Sequence, residues 1–198
     1  MPTTKGRIGV LIESHFDETE YRRFREVFPA NGYALEYLSH LWGQRQLTFK
    51  GNDNQDEVAV SVEVNGASPA DYAGLILIGG YAMDRLRYEE NPQEGRPNQA
   101  PAVVFLRKAV AEMERGGLRI GAICHGLWLF CASPELLKGR RVTCAHNIIS
   151  DVTNAGGIPV YEGSKLKDVW VEGNLITGRH PGVVEEFMRT FLEQIESR

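Results

Sequence analysis

The sequence predicts an α/β fold in which a mostly parallel sheet carries helices on both faces. Short apolar runs alternate with segments of helical periodicity along the 198 residues, which is the order expected of such a fold. Residues 8–12 and 75–78 are apolar throughout, as strands buried on both faces are. We find no internal repeat and no linker, so we expect one domain over residues 1–198.

The predicted strands are short, and several end in polar residues or glycine. In chain order they cover residues 8–12, 34–38, 58–64, 75–78, 119–123 and 141–144. The run 58–64 alternates valine with Ala, Ser and Glu, which is typical of a half-exposed strand. The segment VWVEGNLIT predicts a hairpin that turns at Gly173-Asn174.

Apolar residues spaced by three and four predict the helices. The first contains Tyr21, Phe24 and Phe28, and we expect Pro29 and Asn31-Gly32 to end it. Later helices are expected over 103–113 (closed by Gly116-Gly117), directly after residue 123, around 151–154, and over 184–195. Residues 43–57 and 81–100 lack such a period and predict loops; the second is long enough to suggest a functional role.

Composition narrows the class of protein. The net charge of −4 gives no reason to expect nucleic acid or an anionic membrane as partner, so a small-molecule or protein partner fits better. No apolar run approaches the ~20 residues that span a bilayer, and the first residues do not resemble a signal peptide. Three cysteines without a CxxC pair favour a reducing, cytoplasmic setting.

Cys124 is the candidate nucleophile. It lies in GAICHG, between a predicted strand and a predicted helix, which is the context of a nucleophile elbow. A helix beginning beside it would favour the thiolate, and His125 could act as a positive neighbour or proton carrier. The backbone N–H groups of His125 and Gly80 would form an oxyanion hole. The alternative is a structural cysteine in the core, which is the role we expect for Cys131 and Cys144.

Several segments together resemble the ThiJ/PfpI superfamily, which includes PfpI-type intracellular proteases, glyoxalase III enzymes and a parkinsonism-associated deglycase. They are LILIGG (75–80), GAICHG (121–126), LLKGRRVT (136–143), DVTNAGG (151–157) and EGNLITGR (172–179). The resemblance implies a flavodoxin-like three-layer sandwich of the class I glutamine amidotransferase type, with Cys124 as nucleophile. It also implies a homodimer or higher homo-oligomer, to which exposed aromatic residues such as Trp42, Phe49, Tyr81 and Tyr88 could contribute. The alternative for these residues is that they cover the mouth of the pocket.

Two acidic residues acquire roles from the resemblance. Glu20, in HFDETE, matches the acid that hydrogen-bonds the family's cysteine, and a carboxyl beside a thiolate should have a raised pKa. The alternative for Glu20 is an acid that favours a helix N-terminus. Asp84 matches an acid that reaches a neighbouring subunit's histidine in PfpI-type proteases. The alternative is an exposed ion pair with Arg85 or Arg87.

The sequence departs from the family pattern where substrate would be selected. CAHNI has Ala145 and His146 where members often carry a tyrosine, and the segment 81–100 is longer than in simple PfpI-type members. His146 is either a polar group of the pocket or an ordinary loop histidine. No histidines have metal-ligand spacing, and no dinucleotide fingerprint or P-loop is present, so we expect neither a metal nor a cofactor.

Three functions remain open. The first is an enzyme in which Cys124 attacks a small aldehyde or ketoaldehyde while Glu20 transfers the proton. The second is an intracellular cysteine peptidase that uses Cys124, His125 and Asp84 of another chain. The third is a non-catalytic sensor or binding protein whose cysteine oxidises under stress.

Overall fold

The computed structural model describes residues 4–197; residues 1–3 and 198 of the predicted domain lie outside the described part. Its strands are β1 (Gly6–Leu11), β2 (Tyr33–Ser39), β3 (Leu47–Lys50), β4 (Glu57–Val60), β5 (Val62–Glu63), β6 (Gly74–Leu77), β7 (Arg119–Ile123), β8 (Arg141–Val142), β9 (Ile158–Pro159), β10 (Tyr161–Glu162), β11 (Lys165–Leu166), β12 (Val169–Glu172) and β13 (Leu175–Gly178). Its α-helices are α1 (Glu18–Ala30), α2 (Ala82–Leu86), α3 (Pro101–Glu114), α4 (Trp128–Cys131), α5 (Ile149–Asn154) and α6 (Val184–Glu196).

The central sheet has the order β12-β13-β7-β6-β1-β2-β5. All neighbours in it run parallel except β12 and β13, which form the hairpin predicted at Gly173-Asn174. The mostly parallel flavodoxin-like fold expected from the sequence is therefore confirmed. In such sheets ligands bind beyond the carboxyl ends of the strands.

Helices cover both faces of the sheet. On one face α1 packs against α6, and on the other α3 packs against α4. Two strand glycines allow α6 to approach closely: a Cβ on Gly74 would lie 2.7 Å from Phe191, and one on Gly121 would lie 2.7 Å from Phe187. Both phenylalanines are fully buried, so the apolar face predicted for the last helix forms part of the core.

The segment between residues 43 and 64 differs from the prediction. Residues 43–57 are not simply a loop, because β3 lies within them and pairs with β4 in an antiparallel hairpin. The single strand predicted over 58–64 is divided into β4 and β5, and only β5 joins the central sheet. Phe49, expected to be exposed, is the buried residue of β3. The polar composition of the segment hid β3, whose four residues bury one side chain.

The first helix ends as predicted, because α1 stops at Ala30, directly before Asn31-Gly32, with Pro29 in its last turn. Two later helices differ from the prediction. The predicted loop 81–100 contains the short helix α2. The helix expected directly after residue 123 begins only at Trp128, after a four-residue turn. Among the described residues, no helix combines the length and apolar character needed to cross a bilayer.

Candidate active site

Cys124 lies at a sharp turn at the carboxyl end of β7. Its φ of 56° is in the left-handed region, which is sparsely populated by residues other than glycine and is typical of functional sites. The turn is held by hydrogen bonds from Cys124 N to Gly178 O (2.8 Å) and from Ala145 N to Cys124 O (3.1 Å). A Cβ on Gly126 would lie 2.5 Å from Leu77 O, so glycine is required there. The predicted elbow geometry is present.

The Gly79-Gly80 turn faces this elbow and is clamped by the segment after β1. Asp17 N donates to Gly79 O (3.2 Å), and Tyr81 N donates to His15 O (2.8 Å). Gly80 has a φ of +72°, and a Cβ on it would lie 2.2 Å from His15 O. A side chain at this position would therefore break the clamp.

The expected oxyanion donors converge on the sulfur. The backbone N–H groups of Gly80 and His125 lie close enough to Cys124 to lower the pKa of its thiol. They belong to different strand ends, so the pair exists only in the folded chain. An oxygen bound to a carbon that Cys124 has attacked would lie near the same donors.

Glu20 lies beneath the turn, fully buried at the start of α1. Gly79 N donates to Glu20 Oε2 at 2.6 Å, whereas Oε1 has no hydrogen-bond partner among the described residues. A Cβ on Gly79 would lie 2.6 Å from Oε1 and 2.7 Å from Cys124 Cβ. Because Gly79 has no side chain, the Glu20 carboxyl and Cys124 can approach each other. The hydrogen bond predicted between them is nevertheless not formed.

Burial dominates the ionisation of this pair. It raises the pKa of Glu20 well above 4.5, with a further contribution from the Asp17 carboxylate, so the prediction of a raised pKa is confirmed in direction. Burial and then an ionised Glu20 also raise the pKa of the Cys124 thiol, against the two N–H donors. The predicted lowered thiol pKa is therefore wrong for this geometry. Cys124 is only 6% exposed, and α4 begins too late to aim its N-terminus at the sulfur.

His125 is placed to exchange a proton with the thiol. Its Nδ1 lies 3.4 Å from Cys124 Sγ, and its Nε2 lies 3.1 Å from Asn147 Oδ1. Because an amide oxygen only accepts, Nε2 carries the hydrogen and Nδ1 has a free lone pair directed towards the sulfur. Burial lowers the pKa of His125. The imidazole is therefore a neutral proton acceptor and not the positive neighbour that was the other expectation.

A cavity of about 320 Å³ opens above Cys124. Its lining comes from six separate loops: Asp17, Asn52, Gly80, Tyr81, Cys124, His125, Ala145, His146, Asn147, His180 and Pro181. His146 thus lies in the pocket. The sequence analysis missed Asp17, Asn52, Asn147 and His180. Asn147 and His180 follow β8 and β13, so the rule that ligands meet the carboxyl ends of strands could have identified them.

Asp84 lies elsewhere in the chain's own fold. It is exposed on α2 and binds Arg87 with its Oδ1, at 2.9 Å from Nε and 2.6 Å from Nη2. This is the ion pair that the sequence analysis gave as the alternative. Asp84 lines a separate cavity of about 340 Å³ together with Glu13, His40 and Trp42. Within one chain, therefore, it does not complete a triad with Cys124 and His125.

Among the described residues, the other cysteines and histidines do not form a metal site. Cys144 is fully buried and Cys131 is half-buried, and all three cysteines are free. Over residues 4–197, no group of three or more His, Cys, Asp or Glu side chains is arranged to hold a metal ion.

Comparison with known proteins agrees with this fold. A model of the DJ-1/PfpI family matches residues 6–194. Uncharacterized proteins from Staphylococcus haemolyticus and Staphylococcus aureus are 27% identical to the chain over 191 and 190 residues, which cover 96% of this chain and 98% of each relative.

Solved structures give the same result. A two-domain protein from Anabaena variabilis, containing DJ-1/ThiJ/PfpI-like and ferritin-like domains, superposes with a TM-score of 0.80 at 26% identity. The match covers 97% of this chain and 48% of that one. A ThiJ/PfpI domain protein from Brachyspira murdochii gives a TM-score of 0.78 at 16% identity and covers 99% of both chains. The chain belongs to the DJ-1/PfpI family.

Proposed function

We propose that this DJ-1/PfpI protein is an enzyme that converts small reactive carbonyl compounds, with Cys124 as the nucleophile. One observation carries the proposal. Cys124, whose backbone is in the left-handed region, lies at the floor of a cavity beside two backbone N–H donors, the Nδ1 of His125 and a buried carboxyl group. The substrate class that uses all four groups is a 2-oxoaldehyde such as methylglyoxal.

The first step is addition of sulfur to the aldehyde carbon. The C–S bond forms while the thiol proton passes to His125 Nδ1, 3.4 Å from Sγ. The aldehyde oxygen takes the proton of Glu20, whose raised pKa keeps it protonated beforehand. The N–H groups of Gly80 and His125 stabilise negative charge on that oxygen during the transfer. The product is a hemithioacetal, with Glu20 now ionised.

The second step moves hydrogen from one carbon of the substrate to the other. Glu20 carboxylate removes the proton from the former aldehyde carbon and returns it to the neighbouring ketone carbon. The hydroxyl proton of the hemithioacetal passes to the ketone oxygen, so the first carbon is oxidised to a thioester and the second is reduced to an alcohol without an external oxidant. Water then cleaves the thioester: its oxygen joins the acyl carbon and one of its protons restores the thiol, which releases a 2-hydroxy acid. The proton that His125 took in the first step returns to Glu20, and the site is reset.

The dimensions of the site favour this reaction over a peptidase. A cavity of about 320 Å³ is at the small end of ligand sites. The peptidase alternative also requires Asp84 from another chain, and here Asp84 is engaged by Arg87. The sensor alternative uses only the thiol and gives no role to the His125 lone pair or to the raised pKa of Glu20.

Setting and assembly are part of the proposal. Three free thiols favour a reducing compartment such as the cytoplasm. Trp42, Tyr81 and Tyr88 remain exposed by 45%, 54% and 60%, and a homo-oligomer would cover such a set of aromatic side chains.

The test is consumption of methylglyoxal by wild type and Cys124→Ala, with the 2-hydroxy acid measured as product. We expect the variant to stay folded and lose turnover, whereas Cys131→Ala, at a half-buried cysteine outside the cavity, keeps it. Unchanged consumption in Cys124→Ala would refute the proposal. Steady cleavage of a fluorogenic peptide by wild type, blocked by iodoacetamide, would favour the peptidase instead.

A further inference from the structure

We propose that Arg87 is a positioning residue for His125 and that Asp84 acts on the site through Arg87, within one chain. The inference rests on the proposed function and deepens it. It gives Asp84 a role that requires no second subunit.

The chain of contacts begins at the ion pair. Asp84 Oδ1 accepts from both Nε and Nη2 of Arg87 at 2.9 and 2.6 Å. Two donors on one acceptor restrict the guanidinium to one orientation. Its Cζ then lies 5.4 Å from the centre of the Trp128 ring, within the distance at which a cation is attracted to an aromatic face.

Trp128 passes this restraint to His125. The two rings are stacked, with centroids 4.6 Å apart and planes inclined by 24°. Trp128 is also held at its edge, where Nε1 donates to Asp151 Oδ2 at 2.9 Å. The indole is therefore fixed by Arg87 and Asp151 independently of His125.

His125 needs such a support. Its own hydrogen bond to Asn147 restrains Nε2 but leaves the ring free to rotate about that contact. Nδ1 must stay 3.4 Å from Cys124 Sγ to accept the thiol proton. Tyr81 lies 5.8 Å from both His125 and Trp128, so the three rings form one cluster. The guanidinium sits at its outer side and holds the indole against the imidazole.

The test compares Arg87→Ala, Asp84→Asn and the double variant in methylglyoxal turnover and in alkylation of Cys124 by iodoacetamide across pH. We expect Arg87→Ala to lower kcat about threefold, in the range of a partly exposed cation–aromatic contact, with KM unchanged. Alkylation of Cys124 should also be slower in Arg87→Ala, because Nδ1 of His125 is no longer held 3.4 Å from Sγ to accept the thiol proton. Arg87→Lys should recover part of the loss.

The double variant separates the mechanisms. If Asp84 acts through Arg87, the double variant is no slower than Arg87→Ala. Arg96→Ala is the matched control, because Arg96 lies in the same segment and pairs with Glu89; it should match wild type.

Three results would overturn the inference: an Arg87→Ala variant identical to wild type, additive losses in the double variant, or loss of turnover in Asp84→Asn that Arg87→Ala does not share. The last would indicate an acid acting across subunits. Absence of carbonyl turnover in wild type would instead refute the proposed function, while the alkylation profiles would still test Arg87.

Discussion

Replacing Glu20 with glutamine should stabilise the protein increasingly as the pH rises from 5 to 7. Burial raises the pKa of Glu20 well above its ordinary value of 4.5, so between these two values the folded state holds a proton that the unfolded state has lost. Stability then falls with rising pH, by up to about 1.4 kcal/mol per pH unit for one proton. Glutamine removes this loss while keeping the shape and the acceptor for Gly79 N.

The measurement is urea unfolding of wild type and Glu20→Gln at pH 5, 6 and 7. Other groups titrate in both proteins, so their contributions largely cancel in the difference. We expect the advantage of the variant to grow as the pH rises, by at most about 1.4 kcal/mol per pH unit. A difference that is constant over this range, or that shrinks, would refute the argument that the buried carboxyl keeps its proton.

Glu18 provides the matched control. It lies two residues earlier in α1 and is equally buried, but its carboxylate accepts from Gln55 N (2.9 Å) and pairs with Arg22 (2.9 Å). Glu18→Gln should therefore destabilise the protein, by about 1–3 kcal/mol.

In the turnover assay, the kcat of Glu20→Gln should fall by about 10²–10⁴-fold, which is the usual contribution of a proton-transferring side chain.

Three further substitutions test the site and the core. Gly79→Ala forces a Cβ between the carboxyl and the nucleophile and should cost about 1–3 kcal/mol by urea unfolding as well as turnover; Gly66→Ala, with open space around it, is the control and should change neither. Asn147→Leu removes the hydrogen bond that raises the pKa of His125, so in pH–rate profiles the acid limb should move to lower pH and kcat should fall; an unchanged profile would contradict the tautomer assigned here. Cys144→Ser buries a hydroxyl at a fully buried position and should lower the free energy of unfolding, measured in urea, by about 1–3 kcal/mol while leaving the Cys124 alkylation rate unchanged; altered alkylation would contradict a packing role.

The fold was largely predictable because its main strands bury both faces. Continuous apolar runs mark β1, β6 and β7, and each pairs in parallel within the central sheet. The hairpin of β3 and β4 was missed because it packs one face only and has charged or polar residues on the other. The order of strands along the sheet depends on tertiary packing, which no local pattern encodes.

The nucleophile and its facing turn were predictable for a related reason. At Gly80 and Gly126 another backbone segment approaches so closely that a side chain would collide with it, and glycine at a strand end is visible in the sequence. The ionisation state of Cys124 was not predictable from the sequence. It depends on burial and on the distance to Glu20, and a helix start misjudged by four residues removed the dipole on which the predicted thiolate relied.

Different parts of this site position the reacting groups and select the substrate. The distance between nucleophile, carboxyl and N–H donors is set by backbone contacts at Gly79 and Gly80, where any side chain would collide. Part of the cavity wall, by contrast, consists of Asn52 and His180, whose side chains project from loops without such steric restriction. Substitution along this wall can therefore change which carbonyl compound binds while the attack geometry persists. When 2-oxoaldehydes of increasing length are assayed, these wall residues should set the longest one that is converted.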